Sequence, residues 1–164
     1  MQIKFKEYPH MKPIRMATKD KGFFGGIWLW IATTRKWEIT QDWHYTLDSK
    51  KYVIPKGFVF DGASVPKYFR SYLSPMGVLL IGGLVHDYGY KYEVLLLEGK
   101  KKATPKHNQK WMDKTFRDIN IDQNGFKIIN YGAYYALRLG GWLAWRKHRK
   151  NNLNWKTSVP SHNR

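Results

Sequence analysis

The chain is predicted to be an α+β domain, with antiparallel strands over residues 1–60 and a bundle of three to four helices over 61–150. Three observations predict it. In the first sixty positions apolar residues alternate with basic or polar ones, and β-branched and aromatic residues cluster. After residue 61 the apolar residues recur at helical spacing, in runs too long for single strands. The 164 residues carry no internal repeat, and a chain of that length suits one domain that buries roughly 70% of its unfolded surface without cross-links.

IKFKEY, from Ile3, alternates apolar and basic residues as a half-buried strand does. GFFGG at 22–26 reads as a turn before the β-rich GIWLWIATT. KWEITQDWHYTL and KKYVIPKGFVF follow as further strand-like runs, the second punctuated by Pro55 and Gly57. Three to five antiparallel strands with a basic outer face are expected. SVPKYFRSYLSP reads as a short helix or turn closed by Pro75. MGVLLIGGLVHDYGYKYEVLL is helical in period, with Gly82, Gly83 and Gly89 at points of close approach. Thr104 and Pro105 read as N-cap and first residue of a helix reaching about Ile119. Asn124-Gly125 is a turn, and residues 126–150 form a last long helix. Its small residues Gly132, Ala136, Gly140 and Ala144 recur every four positions and predict a packing seam. Residues 151–164 form a polar tail.

The chain has no cysteine, which excludes disulfides, thiolate metal sites and cysteine nucleophiles. The N-terminus shows no signal-peptide pattern, and no stretch is long and apolar enough to span a bilayer. The net charge is +17, from 29 Lys+Arg against 12 Asp+Glu, with 16% aromatic residues. That balance predicts an anionic partner: nucleic acid, anionic lipid or an acidic protein. A solvated basic surface over an aromatic core is the plainer alternative. No helix-turn-helix or zinc-finger pattern points to sequence-specific DNA reading.

Against this basic background the acidic residues stand out. Asp61 lies in FDGAS directly after a strand, and Gly62 permits a turn that exposes its carbonyl. An aspartate with free carbonyls in a turn suits calcium, and Asp87 is placed to complete the ligand set from the following helix. His86 sits in an apolar run and requires a partner or a task, because an unpaired buried ring is costly. Tyr90, four residues on, shares its helix face; Asp87 points roughly 100° away. His86 and Asp87 therefore flank one pocket, the aspartate for a cation and the histidine for a water. A hydrogen-bonded core histidine is the structural alternative.

The residues IPKGFVFDGASVPKYFR and LVHDYGY, an F-x-x-DGAS-x-P box followed by H-D-x-x-Y, resemble a family of uncharacterised proteins encoded mostly by tailed bacteriophages and prophages. The likeness covers about residues 50 to 145 and implies a viral source, in the virion or the host cytoplasm. DGAS and HDYGYKY also resemble, more distantly, the calcium-loop and helix motifs of prokaryotic phospholipases A2, and QKWMDKTF resembles the opening of their second catalytic helix. That resemblance implies a phospholipase A2-like helical bundle. It also implies Ca²⁺ held by Asp61, the Gly62 carbonyl and Asp87, with His86 as the base and Tyr90 orienting the second-helix partner. Asn108 stands where those enzymes carry the carboxylate that orients the histidine, so it would orient His86 without charge. Asp113 is read as facing another way.

Two functions follow. One is a non-catalytic virion or host-interaction module that binds anionic partners, other phage virion proteins among them, on a phospholipase A2-like scaffold. The alternative is a calcium-dependent ester hydrolase acting on bacterial membrane lipid during entry or lysis.

Overall fold

The computed structural model describes residues 1–14, 36–60, 79–99, 102–151 and 156. Asp61, Gly62, the GIWLWIATT run, SVPKYFRSYLSP and most of the expected polar tail lie outside them. The described residues form two small antiparallel sheets followed by three packed helices, the α+β arrangement expected. β1 (Ile3–Lys4), β4 (Trp43–Leu47) and β5 (Lys50–Ile54) make one sheet in the order β1-β4-β5. β2 (Met11–Pro13), β3 (Trp37–Ile39) and β6 (Val59–Phe60) make the other, in the order β2-β3-β6.

Strands are shorter and more numerous than the runs suggest. KWEITQDWHYTL divides into β3 and β4, one in each sheet. The backbone of Ile39 is tied to Phe58 and Gly57, and that of Thr40 to His10, before the chain crosses over. β4 and β5 form a tight hairpin through Asp48 and Ser49, whose φ of 45° and 69° are both left-handed. Such a turn matches the twist of the strands it joins. Alternation along β4 buries Trp43, Tyr45 and Leu47. Trp43 stacks on Tyr45 at 4.8 Å and Tyr45 on Tyr52 at 5.4 Å.

The helices are α1 (Leu80–Tyr92), α2 (Gln109–Asn124) and α3 (Lys127–Lys150). α1 ends earlier than its apolar run because Glu93 turns left-handed, its N–H bonding the Gly89 carbonyl. Leu95 to Leu97 then run extended beside β5, with Val53 N–H donating to the Leu96 carbonyl. The same pairing moves the start of α2. Leu95 and Thr104 exchange hydrogen bonds, Leu96 bridges Ala103, and His107 N–H reaches Glu93, so the Thr104-Pro105 signal is held extended. Asn108 is the actual cap, its side-chain oxygen accepting from Trp111 N–H at 2.9 Å.

α1 is buried on nearly every side. Gly82 and Gly89 meet α2 so closely that a Cβ would fall 2.4 Å from the Asn120 amide and 2.2 Å from Met112 Sδ. Gly83 has no described neighbour of that kind. The seam expected on α3 is met only in part. Gly132 and Gly140 are exposed, while Ala133, Gly141 and Ala144 face inward. The three helices converge on Asp113.

Candidate functional site

His86 lies on the face of α1 that also carries Gly82, Gly89 and Tyr90, turned toward α2. The missing Cβ atoms bring the helices close enough for a short side chain to bridge them. Asp113 does so. It is fully buried, in phase with Met112 and Phe116 on the inner face of α2. Its Oδ1 lies 3.0 Å from His86 Nε2 and accepts from the Tyr90 hydroxyl at 2.5 Å. Its Oδ2 accepts from Arg138 Nη1 of α3 at 2.7 Å. An ionised carboxylate only accepts, so Nε2 carries the hydrogen and the neutral imidazole keeps its electron pair on Nδ1. Nδ1 stands 3.6 Å from Asp87 Oδ1. The ring is further held by Tyr90, centroid to centroid 3.9 Å, and by the edge of Phe116 at 5.5 Å.

Of the residues singled out in the sequence, His86, Tyr90 and Asp87 come together. Asn108 does not join them, because its side-chain oxygen caps α2. The reading of Asp113 as facing away is corrected: it is the carboxylate on His86. Its signal was an acid inside the apolar period Met112, Phe116, Ile119. Arg138 carried a matching one, a cation interrupting the apolar run of α3. Arg149 was also missed. Its Nη2 donates to the Tyr90 and Lys91 carbonyls at 2.6 and 3.0 Å, and its Nη1 meets Glu93 at 2.7 Å. It thereby satisfies carbonyls at the C-terminus of α1, where a cation also opposes the helix dipole.

A protein family described as "Protein of unknown function (DUF1353)" matches residues 37–136. The chain belongs to the DUF1353 family. No curated protein and no solved structure matches it. The DUF1353 match takes in His86, Asp87, Tyr90 and Asp113 and stops short of Arg138 and Arg149.

In this DUF1353 chain the buried charges are matched. Burial works against the His86 imidazolium, but the hydrogen bond to Asp113 and the nearby carboxylate of Asp87 outweigh it and hold its pKa above the ordinary histidine value. Burial pushes Asp113 up, yet the donors His86, Tyr90 and Arg138 bring it below the usual carboxylate range. Burial and the bond to Asp113 raise the Tyr90 phenol far beyond its ordinary value, so it stays a donor. Among the described residues no group of three or more His, Asp or Glu side chains is placed to hold a metal ion.

Proposed function

We propose that the chain is a hydrolase of carboxylic esters in which His86 activates a water. The observation that carries this reading is the 3.0 Å contact of His86 Nε2 with buried Asp113, which leaves Nδ1 as the basic nitrogen on the side of Asp87. Nδ1 takes a proton from water as the water oxygen bonds to the ester carbonyl carbon. The same proton then passes to the departing alkoxide as the C–O bond breaks. Asp113 holds the imidazole in one tautomer and balances its charge while it is protonated. Tyr90 and Arg138 hold Asp113. The resemblance to phospholipases A2 extends the reading to calcium. Asp87 offers a hard oxygen donor, 15% exposed, beside Nδ1, and suits that ion; Asp61 and the Gly62 carbonyl would supply the remaining protein ligands. Calcium held there would polarise the carbonyl and stabilise the oxyanion.

A second reading, a non-catalytic phage virion or host-interaction module binding anionic partners, is favoured by Arg138. Its guanidinium already neutralises Asp113, and the cluster ties α1, α2 and α3 together as a structural clamp would. The two readings separate in an assay of nitrophenyl esters and phosphatidylglycerol vesicles with calcium or with EDTA. The hydrolase reading expects calcium-dependent turnover that is lost in His86→Ala and falls by about 10⁴ in Asp113→Asn, the loss typical when a histidine loses its orienting carboxylate. Absence of turnover in wild type that still melts cooperatively would leave the clamp.

A further inference from the structure

We propose that the outer face of α3 docks on an anionic lipid bilayer, lying along its surface. Ile128 is 90% exposed, Tyr135 59%, Leu139 81%, Trp142 43% and Leu143 61%. Their spacing puts them in one stripe along the helix. The stripe does not belong to the core, because α3 is held by its other face through Ala133, Leu137, Gly141 and Ala144. α3 has no acidic residue, and its exposed cations stand at the two ends: Lys127 at the start, and Arg146, Lys147 and Lys150 at the finish. Arg146 lies over the Trp142 ring at 4.9 Å. At 1.5 Å per residue the helix is about 36 Å long, yet no described helix is long and apolar enough to cross a membrane. An apolar stripe with aromatic residues and terminal cations is the pattern of a helix that lies in the interface.

The charge selects the occupant. A second copy would bring two chains of net charge +17 together along helices with cations at both ends. A protein partner would need specific polar contacts, and the middle of the stripe offers no charged group to make them. Anionic headgroups above an apolar interior complement both parts at once. This inference stands apart from the hydrolase reading, since binding is measured without turnover.

The test is co-sedimentation of the full chain with phosphatidylcholine vesicles, with and without phosphatidylglycerol. Wild type is expected to bind only the anionic vesicles. Leu139→Glu/Leu143→Glu should weaken binding at least roughly tenfold, because two apolar side chains lose their burial, without lowering the melting temperature. Arg146→Gln, Lys147→Gln and Lys150→Gln should each weaken it about fivefold. Equal binding by wild type and the double glutamate variant would overturn the proposal in favour of diffuse charge. A dimer in solution that the glutamates dissociate would assign the face to a second copy. Failure of wild type to bind either kind of vesicle would overturn the proposal.

Discussion

Asp113 concentrates the chemistry of this chain in one side chain. It has no exposed surface and receives His86, Tyr90 and Arg138. Removing one member of a buried charged set leaves the others uncompensated, so Asp113→Asn should cost about 3–5 kcal/mol in chemical denaturation. Tyr90→Phe removes a single bond to a charged acceptor and should cost less, about 1.5–3 kcal/mol. The pH dependence has two limbs. Asp113 is lowered in the fold, so its contribution is present above the unfolded carboxylate value of about 3.9 and is lost as pH falls through the folded value. His86 is raised, so its contribution is complete below the unfolded value of about 6.5 and is lost as pH rises through the folded value. Unfolding free energy measured across this range should therefore peak between those limbs in wild type and flatten in Asp113→Asn. Superimposable profiles would mean that the pair does not link folding to protons.

Among the elements, α3 makes adjacent glycines behave oppositely. Gly140 is exposed with no described atom within 4 Å of a Cβ, so Gly140→Ala should stabilise by roughly 0.5–1 kcal/mol through helix propensity. A Cβ at Gly141 would lie 2.5 Å from the Tyr90 hydroxyl and 3.3 Å from Gln109 Nε2. Gly141→Ala should therefore destabilise by about 1–3 kcal/mol and push Tyr90 off Asp113. Thermal melts of the two variants should move in opposite directions; a shift of the same sign would put the α1–α3 contact elsewhere. The contrast also shows what the sequence makes legible. Helical period alone placed α3 from its first turn to its last, and it placed the apolar body of α1. It did not place the end of α1 or the start of α2. Those are set by pairing between Leu95 and Thr104 and between Leu96 and Ala103, which overrides a good local capping signal at Thr104. The site divides the same way. His86, Asp87 and Tyr90 are one local motif and were legible. Asp113 and Arg138 reach them only through helix packing, and a fixed phase between helices cannot be read from any one of them.

The whole molecule is a small fold carrying a large unbalanced charge. Its 29 Lys+Arg exceed its 12 Asp+Glu by 17. Several of the acids are already committed to cations, among them Asp113 with Arg138, Glu93 with Arg149 and Lys106, and Glu38 with Lys12. The exposed pairs among them, such as Lys12 with Glu38, contribute at most about 1 kcal/mol each, whereas the uncompensated cations repel over distances comparable to the Debye length. That length is about 30 Å at 0.01 M salt and about 10 Å at 0.1 M. Net repulsion should therefore dominate at low ionic strength, and the melting temperature should rise as sodium chloride is raised between those concentrations. The buried Asp113–Arg138 pair is screened far less and should hold through the same range. Over that same interval binding to phosphatidylglycerol vesicles should weaken, because the salt that relieves self-repulsion also screens the attraction to anionic headgroups. Opposite trends in stability and binding identify excess positive charge as their common source. A melting temperature that falls with salt would mean instead that the surface ion pairs outweigh the repulsion.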